Sequence, residues 1–238
     1  MKTALIFAAG RGERLRPITD AKPKALCTVH DIPLIEHHIV NLVAAGFERL
    51  VINHAYLGGQ IRRHLGNGAR WGIEIDYSPE PPGALETGGG IVNALPLLGK
   101  NPFITVNADI FCDYPFAALN CPEKSLVHLV LVNKPAYSPQ GDFGLSETHE
   151  LDNNKRDFTF SGIACYRPEV FQNHKPGRYS VTPLLRQLAI SKQATGEMYS
   201  GVWFDIGSPE RLALVNEKMS VTAPPPHVVP NAVRDLLQ

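Results

Sequence analysis

The sequence predicts an α/β protein built around a parallel β-sheet, and three observations support this fold class. Short apolar segments of strand length alternate with segments of helical periodicity in the first half of the chain. A glycine-rich turn follows the first apolar segment, residues 4–7. The chain has 238 residues, which suits one large domain or one domain with a small excursion. Strands separated by helices form right-handed βαβ units, and such units build parallel sheets.

Helices are predicted from apolar periodicity and from residues typical of helix ends. Residues 33–46 have a proline at the first turn, apolar residues on one face and a terminal glycine. Three glycines, 88–90, open another helix, and because glycine lowers helix stability we expect a close contact to require their bare backbone. A flexible helix start is the alternative. The predicted helices are 33–46, 57–65, one opening at 85–91, 181–190 and 209–219.

Strands are predicted from short apolar or alternating segments. Residues 126–132 are almost continuously apolar, which is typical of a strand in the middle of a sheet. Residues 73–77 and 158–166 instead alternate between apolar and polar positions. Residues 151–156 are polar and predict a hairpin loop. The predicted strands are 4–7, 50–52, 73–77, 102–107, 126–132, 158–166 and 198–206.

Composition excludes several classes of protein. The 23 basic and 23 acidic side chains cancel, so no overall field favours nucleic acid or an anionic membrane. No apolar segment reaches the roughly 18 residues of a membrane helix, and the N-terminus lacks the apolar core of a signal peptide, so we expect a cytoplasmic protein. The four cysteines form no Cys-x-x-Cys pair, which predicts reduced, mostly buried thiols. The histidines at 37, 38 and 54 are expected to be structural.

The turn after the first strand has the chemistry of a polyphosphate site. Its glycines allow phosphates to approach the backbone closely, and Arg11, Arg14, Arg16 and Lys24 follow within the same loop. It is not a dinucleotide fingerprint, because Leu15 stands where the third glycine is required, and no Gly-Lys-Ser/Thr triplet completes a P-loop. On glycine spacing alone, an ordinary turn rich in surface arginine remains an alternative.

A longer sequence motif around these glycines is more specific than their spacing alone. Gly-x-Gly-x-Arg-Leu-x-Pro-x-Thr, from residue 10, is followed by Pro-Lys-x-Leu from residue 23, and Trp-x-Asp-Ile-Gly-x-Pro occurs at 203–209. These motifs resemble those of the sugar-1-phosphate nucleotidyltransferases, and the resemblance spans residues 5 to about 215. It implies a Rossmann-like three-layer fold with a mixed, mostly parallel sheet, of the nucleotide-diphospho-sugar transferase type, over residues 1–219. The remaining residues, 220–238, are expected to form a proline-rich C-terminal arm.

The resemblance also implies a reaction. A nucleoside monophosphate passes from a nucleoside triphosphate to a sugar 1-phosphate in a single in-line displacement that releases pyrophosphate and needs no protein nucleophile. Arg14 and Lys24 would be catalytic, and Mg²⁺ would be the cofactor. The nucleotide-binding residues implied by the resemblance are Ala9, Gly10, Arg11, Gly12, Glu13, Thr87 and Gly88.

Acceptor and metal ligands are implied in the second half of the chain. Asp109 and Asp205 each follow an apolar strand segment and would bind Mg²⁺ together if both strands belong to one sheet. The alternative is that Asp109 is a turn residue and that Asp205 caps the turn before the last helix. The sugar-phosphate ligands implied by the resemblance are Asn107, Gly144, Glu147, Ser161 and Gly162.

The substrates are the least determined part. Ser-Pro-Glu, Leu-Glu-Thr-Gly-Gly-Gly, Asp-Phe-Gly-Leu and Thr-Phe-Ser-Gly resemble segments of the N-acetylmuramate 1-phosphate uridylyltransferases of peptidoglycan recycling, which use UTP. A mannose- or glucose-1-phosphate enzyme with another nucleoside triphosphate, or a catalytically silent nucleotide-sugar sensor, are alternatives. We expect a monomer or small homo-oligomer. N-acetylmuramate carries a lactyl carboxylate, so a cation such as Lys155, Arg156 or Arg178 is expected to favour this acceptor. The chain also lacks the Glu-Lys-Pro lysine that contacts the acceptor phosphate in many relatives. Lys155 or Arg156 is the expected substitute, with a solvated hairpin cation as the alternative.

Overall fold

The structure is a computed structural model that describes residues 2–220. The strands are Thr3–Phe7 (β1), Thr28–Val29 (β2), Ile32–Pro33 (β3), Arg49–His54 (β4), Glu74–Pro79 (β5), Phe103–Asn107 (β6), Ile110–Cys112 (β7), Val127–Asn133 (β8), Gly144–Leu145 (β9), Leu151–Asp152 (β10), Phe158–Tyr166 (β11), Ala194–Tyr199 (β12) and Trp203–Asp205 (β13). The helices are Ile18–Ala21 (α1), Leu34–Ala44 (α2), Gly58–Leu65 (α3), Glu86–Leu98 (α4), Thr182–Ile190 (α5) and Pro209–Ser220 (α6).

A seven-stranded sheet in the order β12-β8-β11-β6-β1-β4-β5 forms the centre of the described residues. β1 pairs in parallel with β4 and β6, as do β4 with β5 and β8 with β12. β11 is antiparallel to both of its neighbours, β6 and β8. The predicted mixed, mostly parallel sheet is therefore confirmed, and its parallel strands place several carboxyl ends at one edge.

Alternate residues of the central strands enter two separate cores, which confirms the three layers. On β1, the side chain of Ile6 joins the core formed with α2 and α3, whereas Leu5 joins the core formed with α4 and α5. Both side chains are fully buried. This alternation follows from the two-residue period of a strand, so helices on both faces require β1 to be apolar throughout.

A smaller core lies beside the main sheet. β7 and β13 pair antiparallel, with Asp205 opposite Ile110. Phe111 of this ladder packs with Ile206 and with Val215 of α6. The C-terminal helix therefore covers the ladder rather than the central sheet.

Three predicted elements need correction. Residues 198–206 are two strands, because β12 ends in the central sheet and β13 pairs with β7. The predicted hairpin loop at 151–156 begins with β10, which pairs with β9. The helix predicted from residue 33 begins at Leu34, since Pro33 has extended torsion angles. All four cysteines are buried and free, as expected.

The proposed C-terminal arm, 220–238, lies outside the described residues apart from Ser220, where α6 ends. Within residues 2–220, no helix is long and apolar enough to cross a membrane.

His38 on α2 is fully buried and connects that helix to the start of β7. Its Nε2 donates a hydrogen bond to the Ile110 carbonyl at 2.9 Å, whereas its Nδ1 is buried without a partner in the described part of the chain. Burial lowers the pKa of His38 from the usual 6.5 to about 4. The folded protein therefore holds this ring neutral at a pH where the unfolded chain protonates it.

This gives a pH-dependent contribution to stability with a defined sign. As the pH falls from 6.5 towards 4, the unfolded state binds the proton first, so the free energy of unfolding should decrease, by about 3 kcal/mol in total, and then level off. We expect His38→Gln, whose amide can still donate to the Ile110 carbonyl, to lose this part of the dependence. Urea denaturation of both proteins from pH 8 to 4 measures the difference. Parallel pH profiles would show that His38 is not the group responsible.

Candidate active site

Two adjoining cavities open at the carboxyl ends of the central strands. The larger has a volume of about 920 Å³ and lies against the ends of β1, β4 and β6. The smaller, about 260 Å³, lies between the end of β6, the loop after β8, β11 and β13. Asn107 and Asp109 line both cavities. A ligand in one cavity would therefore lie next to a ligand in the other.

The first loop forms one wall of the larger cavity. Its backbone is fixed at Gly12, which has φ +71°, and whose carbonyl accepts a hydrogen bond from the Thr19 hydroxyl at 2.8 Å. Arg11 donates to the Thr19 carbonyl at 2.7 Å, and its guanidinium lies 3.8 Å from the centroid of the Tyr56 ring. Of the predicted nucleotide-binding residues, those that line this cavity are Ala9, Gly10, Arg11, Glu13 and Thr87.

The helix α4 reaches the cavity through Glu86 and Thr87, and protein atoms explain why the three glycines that follow lack side chains. The N–H groups of Gly88 and Gly89 both donate to the Tyr179 carbonyl, at 3.0 and 3.1 Å. A Cβ on Gly89 would lie 1.9 Å from the Gly177 carbonyl oxygen. Gly88 and Gly12 do not line the cavity. We therefore do not include either glycine among the residues that would contact a nucleotide directly.

A buried polar network lies beneath the larger cavity and was not predicted as part of the site. The Asn53 side chain accepts a hydrogen bond from the Ala8 N–H at 2.7 Å and donates to Glu80 Oε1 at 2.7 Å. Glu80 Oε2 accepts from the Leu85 N–H at 2.7 Å, and burial raises the pKa of this carboxyl group. A Cβ on Gly90 would lie 2.8 Å from Glu80 Oε1. The sequence signal for Asn53 was its place directly after the apolar segment 50–52.

An ion pair marks the junction of the two cavities. Lys24 Nζ lies 2.6 Å from Asp109 Oδ2, with the lysine side chain 12% and the aspartate side chain 37% exposed. Lys24 begins a short 3-10 turn in the first loop, and Asp109 follows β6. The fold therefore brings together two predicted site residues from distant parts of the sequence.

Asp205 lies in the same smaller cavity as Asp109, although the expected reason was wrong. The strand before Asp205 is β13, which pairs with β7 and does not belong to the central sheet. The antiparallel ladder brings the two residues together, since the Ile206 N–H donates to the Asp109 carbonyl at 2.9 Å. Asp205 Oδ2 lies 2.5 Å from Arg211 Nη1, so each candidate metal ligand is paired with a cation.

Arg14, predicted to be catalytic, is exposed and lies outside the larger cavity. A Cβ built on Gly207 would lie 3.2 Å from Arg14 Nη2 and 3.2 Å from Asp205 Oδ1. The guanidinium of Arg14 is thus close to the Asp205 side of the junction.

The predicted acceptor residues divide into two groups. Asn107 and Ser161 line the smaller cavity, and Gly162 lies directly behind Asn107. Gly144 and Glu147 line neither cavity, because Gly144 pairs with β10 and Glu147 is exposed in the following turn. We therefore leave Gly144 and Glu147 out of the candidate site.

Sequence reasoning missed several residues of the smaller cavity. Asp142 Oδ2 accepts from the Phe160 N–H at 2.9 Å, and Trp203 Nε1 donates to the Ser161 carbonyl at 2.9 Å. Tyr137 also lines this cavity, and the pKa of its hydroxyl is raised by burial and by the nearby Asp205. Asp142 and Trp203 belong to motifs, but their contacts join segments far apart in sequence, so the motifs do not indicate which residues they contact.

The three cations predicted to hold a lactyl carboxylate lie elsewhere. Lys155 and Arg156 line neither cavity. Arg178 lines the larger cavity, where its Nε lies 3.4 Å from Glu86 Oε1. Glu86 has φ +59°, a conformation that favours glycine.

The chain is similar to known proteins over most of its length. A family model described as nucleotidyl transferase matches residues 3–221. An N-acetylmuramate alpha-1-phosphate uridylyltransferase of Neisseria meningitidis is 45% identical over 218 residues, covering 88% of this chain and 94% of that protein. A protein of the same name from Caulobacter vibrioides is 33% identical, covering 88% and 93%. The structure of a UDP-glucose pyrophosphorylase complexed with UDP-glucose has a TM-score of 0.76 at 20% identity, covering 93% and 99%.

The position of Asn107 depends on Gly162, and this can be tested by stability. Gly162 has φ +87°, and a Cβ there would lie 2.6 Å from Asn107 Nδ2. Gly72 has φ +70° with nothing within 4 Å of the equivalent Cβ, so Gly72→Ala measures backbone strain alone. We expect Gly72→Ala to lower the free energy of unfolding by about 1 kcal/mol, and Gly162→Ala to lower it by at least about 1 kcal/mol more. If urea denaturation shows that both variants lose the same free energy of unfolding, Asn107 moves aside without an energetic cost.

Proposed function

Because the chain belongs to the nucleotidyl transferase family, we propose that it transfers UMP from UTP to N-acetylmuramate 1-phosphate and releases pyrophosphate. The observation that carries this proposal is the pair of cavities that meet at Lys24 and Asp109. A reaction between two bound substrates needs such a junction. The names of the two relatives, which match nearly their full lengths, support UTP and N-acetylmuramate 1-phosphate as the substrates.

The larger cavity suits the nucleotide. The backbone at Gly10, Arg11 and Glu13 and the Arg11 side chain would face the triphosphate. The wall that contains Glu80 and Thr87 would face the base. Arg14 would reach the phosphates from the Asp205 side. The smaller cavity would then hold the sugar 1-phosphate beside Asn107 and Ser161.

The residues at the junction fit a single displacement. An oxygen of the acceptor phosphate would form a bond to the α-phosphorus of UTP while the bond from that phosphorus to the β-phosphate bridging oxygen breaks. The leaving electron pair departs with pyrophosphate, so no protein nucleophile is needed. Lys24, held at the junction by Asp109, would stabilise the negative charge that develops on the α-phosphate.

The candidate site also fits Mg²⁺. Asp109 and Asp205 supply hard carboxylate oxygens to the same cavity, and Mg²⁺ is typically held by one or two carboxylates together with substrate phosphates. Within residues 2–220, no group of three or more His, Cys, Asp or Glu side chains is placed to hold a metal, so a site of two carboxylates plus phosphate is the arrangement we propose. When bound, Mg²⁺ would offset charge on the transferred phosphoryl group.

The biological setting follows from the proposed acceptor. N-acetylmuramate is a sugar of peptidoglycan, so we propose a role in peptidoglycan recycling, in the cytoplasm. A monomer or small homo-oligomer remains the expected state.

A substrate matrix tests the function directly. Purified protein with Mg²⁺ is incubated with each of the four ribonucleoside triphosphates and with N-acetylmuramate, N-acetylglucosamine, glucose and mannose 1-phosphates, and pyrophosphate release is measured. The highest kcat/KM should be for UTP with N-acetylmuramate 1-phosphate. A higher value for GTP with mannose 1-phosphate would replace the proposed substrates, and no release with any pair would support a nucleotide-sugar sensor.

Lys24→Ala should lower kcat/KM by at least about 100-fold, because Lys24 stabilises charge that is greatest in the transition state. Lys22→Ala is the matched control, since Lys22 lies in the same segment but lines neither cavity. The control should keep the wild-type rate, and both variants should fold normally by circular dichroism. Near-normal turnover of Lys24→Ala would remove Lys24 from the mechanism.

Asp109→Asn and Asp205→Asn should each remove most activity, because each takes away a carboxylate ligand of Mg²⁺. Asp76→Asn is the control, since Asp76 also forms a 2.6 Å ion pair, with Arg49, but lies outside both cavities. Rates are measured across a Mg²⁺ titration. A variant with the wild-type rate and Mg²⁺ dependence would show that its residue is not a ligand.

A further inference from the structure

The acceptor phosphate needs a cation at the smaller cavity, and Lys155 and Arg156, the two substitutes expected from the sequence, do not line it. Asp109, Asp142 and Asp205 all line this cavity, so a phosphate would meet three carboxylates there. The negative charges of these carboxylates oppose the binding of a phosphate unless cations offset them. Lys24 pairs with Asp109, and Asp142 accepts from a backbone N–H. At the Asp205 side, the guanidinium of Arg14 lies nearby and Asp205 itself is paired with Arg211.

Arg211 provides a cation at that side. It lies on α6, and its Nη1 is 2.5 Å from Asp205 Oδ2. Its guanidinium carbon is 3.7 Å from the centroid of the Tyr137 ring. Both Asp205 and Tyr137 line the smaller cavity. Arg211 itself lines neither cavity, and its guanidinium contacts two side chains that form the wall of the smaller one.

Other cations of the second half of the chain are less suitable. Lys134 Nζ donates to the Ser138 carbonyl at 2.7 Å, and within residues 2–220 neither Lys155 nor Arg156 forms a side-chain hydrogen bond or ion pair with a residue that lines the smaller cavity. Arg178 lines the other cavity and pairs with Glu86. Among these residues, Arg211 is the cation that touches two residues of the smaller cavity.

We propose that Arg211 binds the phosphate of the sugar 1-phosphate, an inference that rests on the proposed function. A guanidinium presents several N–H donors in a fixed plane that matches phosphate oxygens, and stacking on Tyr137 fixes that plane. Asp205 holds Arg211 beside the smaller cavity through one of the guanidinium N–H groups. If Asp205 also held Mg²⁺, the remaining N–H donors of the guanidinium would still be available to the phosphate. Arg211 would thus take the place of the absent Glu-Lys-Pro lysine.

The test separates acceptor binding from nucleotide binding. Arg211→Gln should raise the KM for N-acetylmuramate 1-phosphate at least about tenfold, the loss expected for a charge-assisted hydrogen bond, whereas the KM for UTP changes less than about twofold. Arg211→Lys should recover part of the loss, because it restores the charge without the planar fork. Thermal unfolding of each variant checks that the protein is folded.

Arg70→Gln is the matched control. Arg70 also stacks on an aromatic ring, Trp71 at 3.8 Å, and also pairs with a carboxylate, Glu36 at 2.5 Å, but lies outside both cavities. Its acceptor KM should equal the wild-type value. An equal rise in the two arginine variants would overturn the proposal, because it would show a general effect of losing such a pair.

A second acceptor identifies the group that Arg211 binds. N-acetylglucosamine 1-phosphate has the phosphate but not the lactyl carboxylate, and it is measured as a substrate or as a competitor. Arg211→Gln should weaken both acceptors by the same factor. A loss confined to N-acetylmuramate 1-phosphate, or an unchanged KM for both, would overturn the phosphate assignment. If the wild-type protein turns over no acceptor, the proposed function fails instead.

Discussion

The structure at the site depends on the buried side chain of Asn53. Its amide joins the backbone after β1 to Glu80 after β5, while Asn53 itself belongs to β4. Each of these groups would lose water on burial, and an unpaired buried amide or carboxylate costs free energy, so the hydrogen bonds must form together. The network sets where the first loop and the Glu80 turn leave the sheet. It also leaves no room for a side chain at Gly90, which explains one of the three glycines of α4.

Electrostatic pairing organises the other half of the site. Asp109 and Asp205 each contact a cation from a different segment, Lys24 from the first loop and Arg211 from the last helix. Both carboxylates are partly exposed, so these pairs contribute little to stability. Their arrangement instead keeps two negative charges close to each other in a protein with no net charge. Each pair of a carboxylate and a cation has no net charge, and the fold thereby keeps at the site the charges that phosphate binding needs.

The sequence predicted the features that depend on neighbouring residues, such as strands and motifs. It did not predict the contacts between segments that are far apart in the chain. The central strands were found because their burial on both faces makes them apolar, and first-loop residues such as Gly10 and Lys24 were found because one motif contains them. The strands β7 and β13 have three residues each, too few to give a periodic pattern, and they form only by pairing with each other. The condition that the strands before Asp109 and Asp205 share one sheet is therefore not met. The contacts of Arg211 with Asp205 and Tyr137 were not predicted, because these residues come together only in the folded chain.

The wall formed by Asn107 and Asp109 has a consequence for the design of inhibitors. Since both cavities include these two residues, fragments bound separately in each would lie on either side of the same short stretch of backbone. A linker that joins such fragments can be short, and a short linker limits the conformational entropy lost on binding. A bisubstrate compound built in this way would need a neutral or cationic linker, because it passes the carboxylate of Asp109.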